Sequence, residues 1–380
     1  MHRSRMKVNN AKEKRASLLN KENVEYGPMS SIKGVIADNP RKVRGSRVER
    51  LIFEECFGED TLVIMSDYSR KKIQDIKVGD KVLGINGKPA KVMKTCSGID
   101  DLYKVHQKFG IDYVVNSKHK LYFEDRYKDP KMITITAPEY FELTESKRRV
   151  LYGKSTEGVS GKRNFEIDPY YLGVWLGDGY GKNPNRIIVN MDKDPEIGNW
   201  LNSYFESIPG GKTEITTENK CKIFTKLGYG RGKNPIIETF KKYNLFHNKH
   251  LPKAVEASSL DYKLKVLAGI IDTDGNIKSP RVDGGQSFEI EMSRKDLILQ
   301  IKSLAESCGF KVKFSERVRK DDRFKVGETH SYILNIKGDL SIIPTLIPRK
   351  QIKTKRVQRL HSTGVTIESV GKGKYYGITL

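Results

Sequence analysis

YLGVWLGDG, residues Tyr171 to Gly179, and LAGIIDTDG, residues Leu267 to Gly275, are two variants of one nine-residue design: an apolar stretch with small residues on one stripe, closed by Asp-Gly. Gly173 and Gly177 lie four residues apart, as do Gly269 and Thr273, so in a helix each set makes a flat seam that a partner helix can approach closely. The spacing predicts two helices packed on each other. Asp178 and Asp274 fall at their carboxyl ends, where Gly179 and Gly275 suit a terminating residue in the left-handed conformation. The two carboxylates are expected to meet at one dyad.

The residues after each segment mark corresponding points of a repeat. IIVNMDKD comes after Asp178 and FEIEMSRKD after Asp274, each leading into an amphipathic helix, with Met191 matching Met292. CKIFTKLG, ending at Gly228, answers SYILNIKG, ending at Gly338. The order is kept while the loops differ in length. These residues, over roughly Asn164 to Pro348, resemble the LAGLIDADG homing endonucleases, in which each half is a helix–strand–strand–helix unit and one chain supplies both halves. The resemblance implies a monomer that cuts double-stranded DNA. It also implies Asp178 and Asp274 as catalytic residues and as ligands of Mg²⁺ or Mn²⁺.

The chemistry agrees with that implication. Phosphodiester hydrolysis needs a divalent cation to neutralise charge and activate water, and hard cations are held by carboxylate oxygen. Carboxylates that merely end buried helices are the other reading of the same residues. A formal net charge of +23 and a pI near 9.6 suit a protein that neutralises phosphates. KVKFSERVRKDDRFK, Lys311 to Lys325, has the basic alternating character of a groove-lining strand pair. Lys226 and Lys337 are the basic candidates for assisting the cut.

A second chemistry begins at Cys56. CFGEDTLVIMSDYSRKKIQDIKVGDKVLGINGKPAKV reads as short strands broken by Gly, Asp and Asn, hence an all-β module. It resembles the first block of an intein, and YVVNSKHKLYF, Tyr113 to Phe123, resembles the second, with Asn116 where Thr is usual and His119 in place. The resemblance implies an N–S acyl shift at Cys56 with Asn116 and His119 as catalytic partners. A thiol can attack the preceding carbonyl, and the amide nitrogen leaves only when protonated, which an imidazole can do. Singly, a Cys is most often a small buried hydrophobe and a His a satisfied core or surface group.

GVTIESVGKGKYYGITL, Gly364 to Leu380, resembles the start of the last intein block, whose terminal His-Asn does not follow Leu380. Splicing is therefore expected to need a continuation or a complementing C-terminal chain. RGSRVERLIFEE, ending in Glu54 and Glu55, resembles the Walker B strand of phage terminase large subunits, although no G-x-x-x-x-G-K-[ST] occurs. Cys56, Cys96, Cys221 and Cys308 form no Cys-x-x-Cys pair, so neither a zinc site nor a disulfide framework is indicated. A reducing cytoplasm is the expected setting. No apolar run reaches the eighteen or more residues of a membrane span.

The expected organisation is α+β multidomain: an all-β Hint-type splicing domain interrupted by a pseudo-twofold α/β LAGLIDADG endonuclease domain. The boundaries are 1–55 for a host remnant, 56–153 for the first splicing half, 154–348 for the endonuclease and 349–380 for the second splicing half. His247 and His250, between the two motifs, read as structural. The competing readings are a free-standing endonuclease or maturase without splicing, and a hedgehog-like autoprocessing or terminase fragment with an inactive nuclease.

Overall fold

The computed structural model describes residues 56–84, 87–127, 131–154, 158, 160–161, 164–228, 233–278, 286–320, 328–352 and 362–380. Glu54 and Glu55, the terminase-like acids, lie outside the described residues, as do Asp321 to Lys325. All described elements belong to one unit, Phe53–Leu380.

The N-terminal part is all but entirely strands: β1 (Cys56–Gly58), β2 (Leu62–Ile64), β3 (Arg70–Lys72), β4 (Lys81–Leu83), β5 (Pro89–Lys91), β6 (Lys94–Gln107), β7 (Tyr113–Asn116), β8 (Lys120–Asp125) and β9 (Lys131–Thr136). Two short helices, α1 (Ala137–Glu142) and α2 (Glu145–Arg149), precede β10 (Leu151–Lys154). Thr136 and Thr144 start the helices, each accepting from the backbone amide three residues on. The sheet is completed by a strand from the far end of the chain, Ser362–Thr379, whose number, β18, follows from the elements between. Its order is β1-β7-β6-β18-β10-β8-β9, with β1 also pairing β18. Residues before and after the central insertion thus share one sheet, and Val105, Val115, Leu121, Phe123 and Ile367 share one core.

The insertion runs α3 (Pro169–Asp178), β11 (Arg186–Val189), α4 (Pro195–Ser207), β12 (Thr213–Glu218) and β13 (Cys221–Lys226). After α5 (Pro235–Lys242) and α6 (Lys253–Glu256), the pattern repeats as α7 (Leu260–Asp274), β14 (Gly275–Lys278), β15 (Ser287–Met292), α8 (Lys295–Ser307), β16 (Lys311–Lys320) and β17 (Glu328–Lys337). The sheets are β11-β13-β12 and β14-β15-β17-β16, so the matched strands β13 and β17 hold equivalent inner places. Each half therefore runs helix, strand, helix, strand, strand. The second half adds β14, and where the first half would have its counterpart there is an isolated bridge between Tyr180 and Asn183.

α3 is apolar nearly all round, and α7 is so over its second half up to Ile271, the pattern of a helix segment buried on every side. Residues Tyr170 to Leu176 of α3 are all buried, as are Val266 to Asp272 of α7. Each starts on a capping side chain, Asp168 accepting from Tyr171 N at 2.9 Å and Ser259 from Tyr262 N at 3.2 Å. The seam is as narrow as the sequence requires. A Cβ on Gly173 would lie 2.2 Å from Val266 O, and one on Gly269 would lie 2.4 Å from Tyr170 O. Backbone touches backbone.

The helix ends differ from expectation. Gly179 (φ −68°, ψ 151°) and Gly275 (φ −86°, ψ 147°) are extended, not left-handed, because the chain leaves each helix straight outward. Space rather than φ excludes a side chain there: a Cβ on Gly179 would meet Trp175 O at 2.5 Å, and one on Gly275 would meet Ile271 O at 2.7 Å.

Filling the seam is expected to be costly. Gly269→Ala should lower unfolding free energy by about 1–3 kcal/mol in urea denaturation, the usual cost of overpacking. Gly181→Ala, where a Cβ meets nothing within 4 Å, should be neutral. Equal effects at both positions would remove the seam from this account.

Candidate functional sites

The paired helices deliver their acids to one place. A Cβ on Gly177 would sit 1.9 Å from Thr273 Oγ1 and 2.8 Å from Asp274 Oδ2, so the Asp274 carboxylate overlies the last turn of α3. Burial and the Asp178 charge push Asp274 up to about 6. Burial likewise raises Asp178, with Lys249 and Lys350 opposing. Two partly desolvated carboxylates that disfavour each other's ionisation make a site that favours a cation.

Two lysines that sequence reasoning passed over complete this site. Lys249 Nζ donates to Gly177 O at 2.6 Å and to Gly179 O at 3.0 Å. Lys350 Nζ donates to Asp272 O at 2.6 Å and to Ile271 O at 2.8 Å. Each thus occupies the negative end of one motif helix. Burial lowers Lys249 to about 8 against the pull of Asp274 and Asp178. The signal was present in the sequence: Lys249 and Lys350 are separated by the same interval as Met191 and Met292, and each is followed two residues later by a buried aliphatic, Leu251 or Ile352.

The loops holding these lysines cross between the halves. Leu251 N donates to Gln300 Oε1 on α8 at 2.8 Å. Arg349 bonds Lys193 O at 3.0 Å and forms an ion pair with Asp194, just before α4. Buried Asp272 fixes the Lys350 loop, accepting from Leu346 N at 2.7 Å and from Tyr170 OH on α3 at 2.9 Å. Ile352, just after Lys350, packs in the same core cluster as both motif helices.

The other basic candidates sit elsewhere. Lys226 is 2% exposed and donates to Phe205 O at 2.5 Å and Ile208 O at 2.9 Å, closing α4 rather than serving the dyad. Lys337 ends β17 opposite Lys311. Lys311 to Lys320 do form a strand, β16, paired with β17 over their full length. Arg317 and Arg319 share one face and both bond Glu291, each at 2.8 Å. His250 Nδ1 meets Asn248 O at 2.8 Å, a local contact as expected.

The second site lies in the β domain. Cys56, the first residue of β1, is buried, and its backbone hydrogen-bonds the His119 ring. Phe57 packs edge-on against that ring with centroids 4.9 Å apart. Burial pushes His119 down to about 4. Asn116 Nδ2 donates to Asp100 Oδ2 at 3.3 Å, and Ser117 Oγ does so at 2.7 Å. Among the described residues, His119 Nδ1 and Asn116 Oδ1 are buried without hydrogen-bond partners, leaving polar capacity at the site. A cavity of roughly 260 Å³ opens beside His119, lined by Phe57, Tyr113, Phe123 and Val365. The structure therefore joins Cys56, Asn116 and His119 at one end of the sheet, and adds Asp100, which the sequence reading did not single out.

Comparison with known proteins finds a family match in each of the two domains. Residues 56–161 match the family described as Hom_end-associated Hint, and residues 257–343 match the family described as Homing endonuclease. The fold class is thus the expected one: a Hint-type β domain followed by an α+β homing-endonuclease domain. The chain is 36% identical over 281 residues to the catalytic subunit of the V-type proton ATPase of Candida tropicalis, covering 69% of this chain and 23% of that protein. It is 23% identical over 272 residues to the replicative DNA helicase DnaB of Mycobacterium intracellulare, covering 64% of this chain and 41% of that protein. The chain spans less than half the length of these curated relatives. Among solved structures it is similar to the homing endonuclease I-DmoI in complex with DNA and Ca, with 15% identity and a TM-score of 0.30, covering 48% of this chain and 94% of that one.

The depressed pKa of His119 fixes a pH dependence. Between its unfolded value near 6.5 and its folded value of about 4, the unfolded chain binds the extra proton, so stability is lost as pH falls through that window. Lowering pH from 7 to 5 should cost about 2 kcal/mol through this residue. His119→Gln should remove that increment from the pH profile of chemical denaturation; an unchanged profile would contradict the burial account.

Proposed function

We propose that this chain is an intein-type element that rearranges its own backbone at Cys56 and makes a site-specific double-strand break in DNA. The observation that carries the reading is the meeting of Asp178 and Asp274 at a glycine seam, on a chain with a separate Cys56–His119 site. One acid from each half suits one strand each, and two unequal halves suit an asymmetric target.

At the dyad, the residues present fit a hard divalent cation such as Mg²⁺ or Mn²⁺. Asp178 and Asp274 offer carboxylate oxygens, and their mutual repulsion is relieved by a positive charge. No group of three or more His, Cys, Asp or Glu able to hold a metal occurs among the described residues, so phosphate and water oxygens would complete the ligand set. Such an ion supplies charge neutralisation and a lowered pKa for water. Lys249, poised near 8 beside both acids, can hold or release a proton close to neutral pH. Lys350 balances the second helix end. Arg317 and Arg319 give β16 cations for backbone phosphates, with Glu291 bonded to both and fixing them on one face.

At the second site the Cys56 sulfur bonds to the Glu55 carbonyl carbon while the Glu55–Cys56 carbon–nitrogen bond breaks. The proton goes to the departing nitrogen, leaving a thioester and a new α-amine. His119, kept neutral by burial and held against the Cys56 backbone, is the group placed to pass the thiol proton to that nitrogen. The host segment is the terminase-like reading of Glu54 and Glu55.

Incubation with Mg²⁺ and a duplex carrying the uninterrupted host sequence should give a double-strand break. Asp178→Asn and Asp274→Asn should each leave at most a nick, read on a gel that separates nicked from linear DNA. Either variant cutting like the parent would remove its carboxylate from the mechanism. Hydroxylamine should release a product ending at Glu55, and Cys56→Ala should abolish it.

A further inference from the structure

The four cysteines show no pairing by spacing, yet two sulfurs meet. Cys56 Sγ and Cys96 Sγ are 3.7 Å apart. The sheet explains the approach. Cys56 on β1 stands opposite Gly377 of β18, and Gly377 stands opposite Cys96 on β6. Residues directly opposite across neighbouring strands share a face, so all three positions project to the same side. The middle one has no side chain, and the thiols close over it. Cys56 is buried, whereas Cys96 is exposed.

Resting on the reading of Cys56 as the acyl-shift nucleophile, we infer that Cys56 and Cys96 form a reversible disulfide that switches the acyl shift off under oxidising conditions. The oxidant is a small disulfide of the glutathione class. The exposed Cys96 thiolate attacks one of its sulfurs and releases one glutathione thiolate. The Cys56 thiolate then attacks Cys96 Sγ, forming the internal bond and releasing the second. Two protein thiols are oxidised, one small disulfide is reduced, and the two thiol protons pass to the released thiolates. The sulfurs must close from 3.7 Å to about 2.05 Å. Because β18 lies between them, the two Cα atoms, about two interstrand spacings apart, must approach to roughly 4.4–6.8 Å, so the bond requires the three-residue strand β1 to shift over Gly377 toward β6. With its sulfur engaged, Cys56 cannot attack the Glu55 carbonyl. A reductant restores it.

The test treats the full chain with oxidised glutathione, blocks remaining thiols, and maps peptides by mass spectrometry without reductant. Hydroxylamine release at Glu55 is measured on the same samples. The expected result is a Cys56–Cys96 cross-linked peptide, with cleavage falling to background and returning after phosphine reduction. Cys96→Ser should lose the cross-link and keep its cleavage in oxidant. Glutathione adducts on both cysteines without the cross-link would overturn the inference, as would full cleavage in cross-linked protein. If the cross-link forms but reduced protein is never cleaved at Glu55, the acyl-shift role of Cys56 falls and the thiol pair stands.

Discussion

The close approach of α3 and α7 is the constraint on which the endonuclease half depends. Gly173 and Gly269 let two helices meet backbone to backbone, and that contact decides where Asp178 and Asp274 end. The surrounding large side chains then have a fixed frame: Trp175, Tyr171 and Leu172 on one helix and Val266, Leu267 and Ile270 on the other are fully buried. Each such residue contributes about 1.5–3 kcal/mol by leaving water. That burial supports the unfavourable step of placing two carboxylates side by side. The seam gives position, and the flanking core supplies the stability.

Charge inside this domain is handled through helix ends rather than buried ion pairs. Four lysines donate to the terminal carbonyls of its four long helices: Lys249 at α3, Lys226 at α4, Lys350 at α7 and Lys263 at α8. Burial lowers the pKa of all four. Carbonyl dipoles at a helix terminus stabilise a cation without a second full charge to desolvate. At α3 and α7 the same device brings positive charge beside the acids. The loops carrying Lys249 and Lys350 are each tied to the opposite half, by Gln300 and Asp194, so the two acidic helix ends are held in register with each other.

Much of this was legible in the sequence because the informative residues are short-range and chemically unusual. Small residues four apart, an Asp-Gly ending and a repeated Met specify the helix pair, the acids and the repeat. Cys56 and His119 were legible through block patterns around them. What escaped depends on contacts distant in the chain. Lys249 lies 72 residues from Gly177 and Lys350 lies 79 residues from Ile271, the helix ends they close, in segments whose local composition resembles any solvated loop. Lys226 looked like a catalytic cation because it ends the matched strand, but the strand delivers it to the C-terminus of α4. Gly179 and Gly275 are extended, and glycine is required there because a Cβ would collide with Trp175 or Ile271, a contact that helix-ending statistics do not encode. Cys96 meets Cys56 only because β18 returns from the far end of the chain and presents Gly377 between them.

The most direct measurement is anomalous diffraction from crystals of the chain with bound target DNA, grown in Mn²⁺. The account predicts manganese peaks in contact with the carboxylates of Asp178 and Asp274, at the foot of α3 and α7. Manganese bound elsewhere, with neither carboxylate within coordination distance of an ion, would contradict it.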